Sequence, residues 1–184
     1  MNNKALILVG LAAVTLLVGL AVNNADVQSY LRKNVTEPVP VPYVDIQKYC
    51  GSWYEQAVIP YYFERGCSHT VATYSLNPDG KSVKVVNNCT RNGQLVSASG
   101  KAIPEDSTNA KLKVEFVSTL DIGGQYWIVR LGKDYDYAVV TSPNYHYLWV
   151  LAREKKMSED KYQAIIADLK KDNYPVEKLV RVEQ

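Results

Sequence analysis

Histidine is scarce in this chain, with only His69 and His146 present. They fall in different predicted strands, with no matched cysteine or aspartate beside either. No G-x-S-x-G, H-E-x-x-H or phosphate-loop pattern occurs. The sequence therefore offers no catalytic set and is not read as an enzyme. There are three cysteines, Cys50, Cys67 and Cys89, and no C-x-x-C, which argues against a zinc knuckle or a thioredoxin-type site. Net charge is only +2 and no basic block appears, so nothing points to nucleic acid. No residue set asks for a metal or another cofactor.

Phenylalanine is also rare, at two against fourteen tyrosines. Tyrosine suits an apolar wall with polar tips, and it is also an ordinary strand former. A long charge-free run does occur, ALILVGLAAVTLLVGLAV, residues 5–22. It is longer than a usual signal core and just long enough to span a bilayer. Residues 1–22 are accordingly read as a signal peptide or a membrane anchor, with possible membrane association through residues 5–22. No cysteine follows for acylation. The expected location is exported: secreted, periplasmic or membrane-tethered. Residues 23–42 turn polar and then Pro-rich, as an extended linker does. The folded domain is expected over residues 43–184.

From Ser52 to Arg153 the chain shows eight short alternating runs broken by turn signals. They are SWYEQAVI, HTVATYSL, KSVKVVNNC, QLVSASGKAI, AKLKVEFVS, QYWIVRL, YDYAVVTS and YHYLWVLAR. Nearly all are joined as hairpins, so an antiparallel meander is predicted. Eight such strands can close into an all-β up-and-down barrel, which leaves no open edge and can hold one small ligand. A two-sheet sandwich would give a similar string. In SEDKYQAIIADLKKDNYP the period changes. Tyr162, Ile165, Ile166 and Leu169 share one helical face after Ser158, and Pro175 ends the run. This predicts a C-terminal α-helix packed on the barrel, and EKLVRV reads as a short ninth strand.

Strand alternation assigns the faces. Trp53, Glu55 and Ala57 share one side of the first strand; Thr70, Ala72 and Tyr74 share one in the second. Val114 and Phe116 point inward, opposite Lys113. Trp149, Leu151 and Arg153 share a face in the last strand. In QYWIVRL both phases are apolar, and Tyr126 and Trp127 are not distinguished. Glu55 is a carboxylate beside a large aromatic. If that face is an interior, the group must be hydrogen-bonded, paired or neutral.

These residues carry a resemblance. Gly51-Ser52-Trp53 is similar to the G-x-W signature of lipocalins. Asp134-Tyr135 stands where that family has its second motif, and Arg153, after YLWVLA, where it has its third. The strings GSWYEQAVIPYYFERG, VATYSL and YLWVLAR resemble the bacterial outer-membrane lipocalin and apolipoprotein D branch. Cys50 departs from the apolar residue that precedes the glycine in that branch. The resemblance implies a structural role for Gly51, Trp53, Asp134, Tyr135 and Arg153, with the Arg153 guanidinium stacked on the Trp53 indole. It implies binding and transport of a small hydrophobic ligand, fatty acid or lysophospholipid, in the barrel cavity. A pigment or tetrapyrrole, or catalysis on an apolar substrate, are the alternatives. Ligand contacts are expected from Glu55, Ala72, Tyr74, Val114, Phe116, Trp149 and Leu151, with Tyr62 and Phe63 in a lid across the mouth.

Last, the Asn77-Pro78-Asp79-Gly80 turn folds the second and third predicted strands together. With a three-residue loop Asn77 opposes Lys81 and Cys67 opposes Arg91, one step from Cys89. A bulge could close that gap, so a Cys67–Cys89 disulfide is expected, with Cys50 free.

Overall fold

The computed structural model describes residues 37–116 and 123–184, which belong to one compact unit, Glu37–Gln184. The apolar run at 5–22 and the linker as far as residue 36 lie outside the described residues. Among the described residues Pro38 is buried, and the Val41 amide donates to the Ile128 carbonyl. A one-turn helix α1 (Ile46–Tyr49) follows, capped by the Asp45 carboxylate, which accepts from the Gln47 and Lys48 amides.

Among the described residues nine strands come next: β1 (Gly51–Val58), β2 (Cys67–Leu76), β3 (Val83–Arg91), β4 (Gln94–Pro104), β5 (Lys111–Phe116), β6 (Gly123–Leu131), β7 (Tyr137–Thr141), β8 (Leu148–Ala152) and β9 (Val180–Arg181). Every pairing is antiparallel. Each of β2 to β7 pairs with the next strand, while β1 pairs with both β8 and β2, so eight strands close on themselves. The helix α2 (Glu159–Lys171) lies between β8 and β9 in sequence.

Two apolar clusters divide the protein. One fills the barrel and includes Trp53, Tyr74, Val85, Val114, Ile128, Val140 and Leu151. The other lies outside, where Val129, Val139, Leu148 and Val150 meet Tyr162, Ile165 and Leu169 of α2. Arg130 clamps that helix by ion pairs to Asp168, at 2.6 Å, and to Asp172. Because α2 covers one outer face, the strands beneath it are apolar on both sides. Tyr126 packs against the inner cluster and Trp127 belongs to the outer one.

Alternation fails in β1. Glu55 pairs with Leu151, but Ala57 pairs with Val150, so a bulge lies at Gln56. Trp53 stays in the inner cluster, whereas Ala57 turns to the outer one instead of sharing the Trp53 side. The bulge frees the Gln56 side chain. It donates to the Glu154 and Lys155 carbonyls and accepts from the Met157 amide, fastening the chain that leads into α2.

The β2–β3 hairpin also departs from the sequence reading. Asn77 donates its amide to the Ser82 carbonyl, so the loop is one residue longer than expected. A bulge between Ser68 and Val71 then restores the register, and Cys67 does oppose Arg91. The Cys67–Cys89 disulfide forms there, with Cα atoms 5.5 Å apart, and Cys50 is free.

The barrel wall has a seam. β1 pairs with β2 only from Gly51 to Tyr54. Above that, Val58 and Ala57 pair with Val180 and Arg181 of β9. The tail continues between the two strands. The Glu183 carbonyl accepts from the His69 amide, and the Gln184 side chain donates to the Glu55 and Thr70 carbonyls, at 2.6 and 2.9 Å.

Candidate functional site

One end of the barrel is plugged. Trp53 is fully buried there and its Nε1 donates to the Tyr49 carbonyl at 2.8 Å. The Arg153 guanidinium lies 3.9 Å from the Trp53 ring centroid. It donates to five carbonyls, those of Lys48, Tyr49, Cys50, Ser52 and Tyr135. Gly51 is required beside it. Its φ is +101°, and a Cβ would sit 3.0 Å from Arg153 Nη1. Tyr135 completes the plug from the β6–β7 turn, with φ +56° and its hydroxyl accepting from the Asp45 amide. Asp134 is exposed on the same turn.

Above the plug sits a layer of tyrosines. The Tyr126 hydroxyl meets those of Tyr49, at 2.8 Å, and Tyr74, at 3.0 Å. Burial pushes all three phenols up, Tyr74 to about 12. They stay neutral and act as hydrogen-bonding groups.

Above that layer a cavity of about 90 Å³ opens toward the β1–β2 loop. Tyr74, Val114, Phe116 and Trp149 line it, and so do Val85, Asn87, Gln125, Tyr126, Tyr147 and Glu64. Trp149 is the centre of an aromatic wall. Its ring stacks on Tyr147 at 5.3 Å between centroids and on Tyr126 at 6.5 Å. Ala72 is half-buried against the inner cluster, and Leu151 is buried within it, paired with Glu55. Those two stand behind the cavity and do not line it. Tyr62 is 57% exposed on a short 3₁₀ turn (Tyr62–Glu64), its ring against Tyr61. Phe63 lies on the same turn, and its side chain is outside the described residues.

The residue that sequence reasoning missed is Glu64. It sits in an irregular loop, where no periodicity assigns a direction. Its carboxylate accepts from Trp149 Nε1 at 3.4 Å. Burial pushes its pKa up to about 7, the Trp149 hydrogen bond partly opposing the rise. Glu55, only 5% exposed, is pushed well above the usual range, first by burial and then by the Glu64 charge. Val85 and Asn87 were also missed; their strand alternates between moderately polar residues on both faces.

The two glutamates predict a pH dependence. Both hold a proton in the folded barrel to higher pH than in the unfolded chain, where a glutamate ionises near about 4.3. Their contribution to stability is therefore full below that value and is lost as pH rises through their raised pKa values, which for Glu64 is about 7. The melting temperature is expected to fall between pH 5 and pH 8, and Glu64→Gln to remove much of that fall. A wild-type profile that is flat or rising over this range would contradict the assignment.

A closed eight-stranded barrel with one plugged end, one open end and a C-terminal helix on its outer face defines a lipocalin. A lipocalin-like domain model matches residues 44–184. Temperature-induced lipocalin-1 of Arabidopsis thaliana is 34% identical over 149 residues, covering 77% of this chain and 80% of that protein. The outer membrane lipoprotein Blc of Escherichia coli (strain K12) is 35% identical over 144 residues, covering 76% and 79%. Apolipoprotein D of Cavia porcellus is 32% identical over 184 residues, covering 95% and 94%. Among solved structures, insecticyanin from Manduca sexta superposes with a TM-score of 0.68 at 19% identity, covering 81% of this chain and 85% of that one. The chain belongs to the lipocalin family, whose members bind small hydrophobic ligands.

Proposed function

We propose that the protein binds and carries a single-chain amphiphile, a fatty acid or a lysophospholipid, in the open half of the barrel, and that it does no chemistry on it. The observation that carries this reading is the cavity itself: aromatic and aliphatic walls, a floor of neutral tyrosines, and one open end. Burial of the ligand's apolar surface supplies the affinity, at about 25 cal/mol per Å² before the costs of association. Ordinary ligand pockets measure roughly 300–1,000 Å³. A cavity of about 90 Å³ takes only part of such a molecule unless side chains move. Export, with residues 5–22 as a signal or a tether, places the barrel where such lipids are exchanged. Blc is named as an outer membrane lipoprotein.

Trp149→Ala and Tyr74→Ala each remove a wall of the cavity. Each is expected to weaken binding of a fluorescent single-chain lipid by roughly tenfold or more, by the area lost. Circular dichroism should show the barrel intact. Unchanged affinity in both variants would remove the cavity from the mechanism. Mass spectrometry of what copurifies with the protein names the ligand.

A further inference from the structure

The polar groups of the lumen are unbalanced. Glu64 lines the cavity, and among the described residues no lysine, arginine or histidine does. Glu55 is nine-tenths buried below it and senses both Glu64 and Tyr74. Among the described residues no group donates a hydrogen bond to the Glu55 carboxyl. Asn87 also lines the cavity, and its Oδ1 is buried with no hydrogen-bond partner. The donors nearby are already engaged. Trp149 Nε1 serves Glu64, and the hydroxyls of Tyr49, Tyr74 and Tyr126 serve one another. Among the described residues the lumen thus has one buried acceptor without a donor, Asn87 Oδ1, and two neighbouring carboxyls with no fixed cation. A buried acceptor left so is costly, and two carboxyls that repel each other are costly as well.

The walls fit the same missing group. Trp149 and Tyr147 stack almost parallel, 7° between planes, and both rings border the space that Glu64 borders. Aromatic faces beside a carboxylate attract an organic cation, with the attraction growing as water is excluded.

We propose that the ligand's head is a protonated alkylamine, held between Glu64 and Glu55 with Asn87 Oδ1 accepting one of its N–H groups and the rings of Trp149 and Tyr147 beside it. This rests on the carrier reading above and narrows it. A free fatty-acid anion brings negative charge to two buried acids that already disfavour ionising, whereas an amine-bearing amphiphile brings the counter-charge that lets them ionise. No bond is made or broken.

Short probes suited to a cavity of this size test the charge alone. The full chain is held in digitonin, whose rigid steroid does not fit about 90 Å³. Hexylammonium, hexanol and hexanoate are compared by titration calorimetry at pH 8, with empty micelles as the blank. Hexylammonium is expected to bind about tenfold tighter than hexanol, and hexanoate weaker than both. Glu64→Gln keeps the shape and removes the charge, and it is expected to bring hexylammonium down toward hexanol. Glu55→Gln should act in the same direction. Hexanoate binding as tightly as hexylammonium, or a charge preference unaltered in both variants, overturns the proposal. If hexanol binds and no charge preference exists, the head-group assignment alone falls. If none of the three probes binds, the carrier reading falls and takes this one with it.

Discussion

Replacing Trp53 with alanine is expected to destabilise the barrel by about 3–5 kcal/mol, the range for a large aromatic lost from a packed core. The side chain has no exposed surface, so the full void opens at the plugged end. Two further losses add to it. The Nε1 bond to the Tyr49 carbonyl goes, and the Arg153 guanidinium loses the ring it covers at 3.9 Å. Arginine cannot retreat, because its five carbonyl partners come from α1, β1 and the β6–β7 turn. Arg153→Lys should therefore also destabilise strongly. One ammonium with three donors cannot span carbonyls that a planar fork reaches from two sides. Urea unfolding of both variants measures this. A loss below about 1 kcal/mol for Trp53→Ala would show that the plug is not a main support of the fold.

Opening the Cys67–Cys89 disulfide is the second large effect. The bridge closes a loop with a sequence separation of 22. In the chain-entropy model such a loop is worth roughly 3 kcal/mol, which for a domain of this size lowers the melting temperature by roughly 6–12 °C. Cys67 is also the first residue of β2 after the loop that carries Glu64. Reduction is thus expected to weaken ligand binding as well as stability, because it releases the base of that loop. Cys67→Ser with Cys89→Ser gives the same comparison without a reductant. The native protein should show one alkylatable thiol, Cys50, and burial pushes that thiol up, which slows its reaction. Peptide maps with a linked pair containing Cys50, or a reduced form as stable as the oxidised one, would contradict this account.

Much of the barrel is written in residue order. Turn residues divide the strands, and β5 shows its inward side plainly because Val114 and Phe116 alternate with lysine and glutamate. Where one face meets water, polarity marks it. Where both faces are covered, nothing local does. Tyr126 and Trp127 could not be told apart for that reason: α2, more than thirty positions further on, covers the Trp127 side. The bulge at Gln56 was invisible for a related reason. No glycine announces it, and its cause is the set of backbone groups around residues 154–157 that the Gln56 side chain satisfies. Glu64 is the most consequential omission. A loop has no period, so only the folded position of Trp149 shows which way that carboxylate points. Conversely, the hairpin argument for Cys67 opposite Arg91 reached the observed register by an incorrect turn, because a loop longer by one residue is offset by a bulge.

The seam between β1 and β2 sets an order in time. From β2 to β8 each strand pairs with its neighbour in sequence, and such contacts form early because little chain must be ordered to make them. The seam joins Ala57 to Arg181 and Thr70 to Gln184, almost the whole domain apart. It is the last closure. Until it is made, the wall has a slot beside Glu55, and water reaches the buried carboxyl through it. The wall beside Glu55 closes only when the final residues come home, so the cost of burying that acid falls at the end of folding and spares the steps that build the barrel.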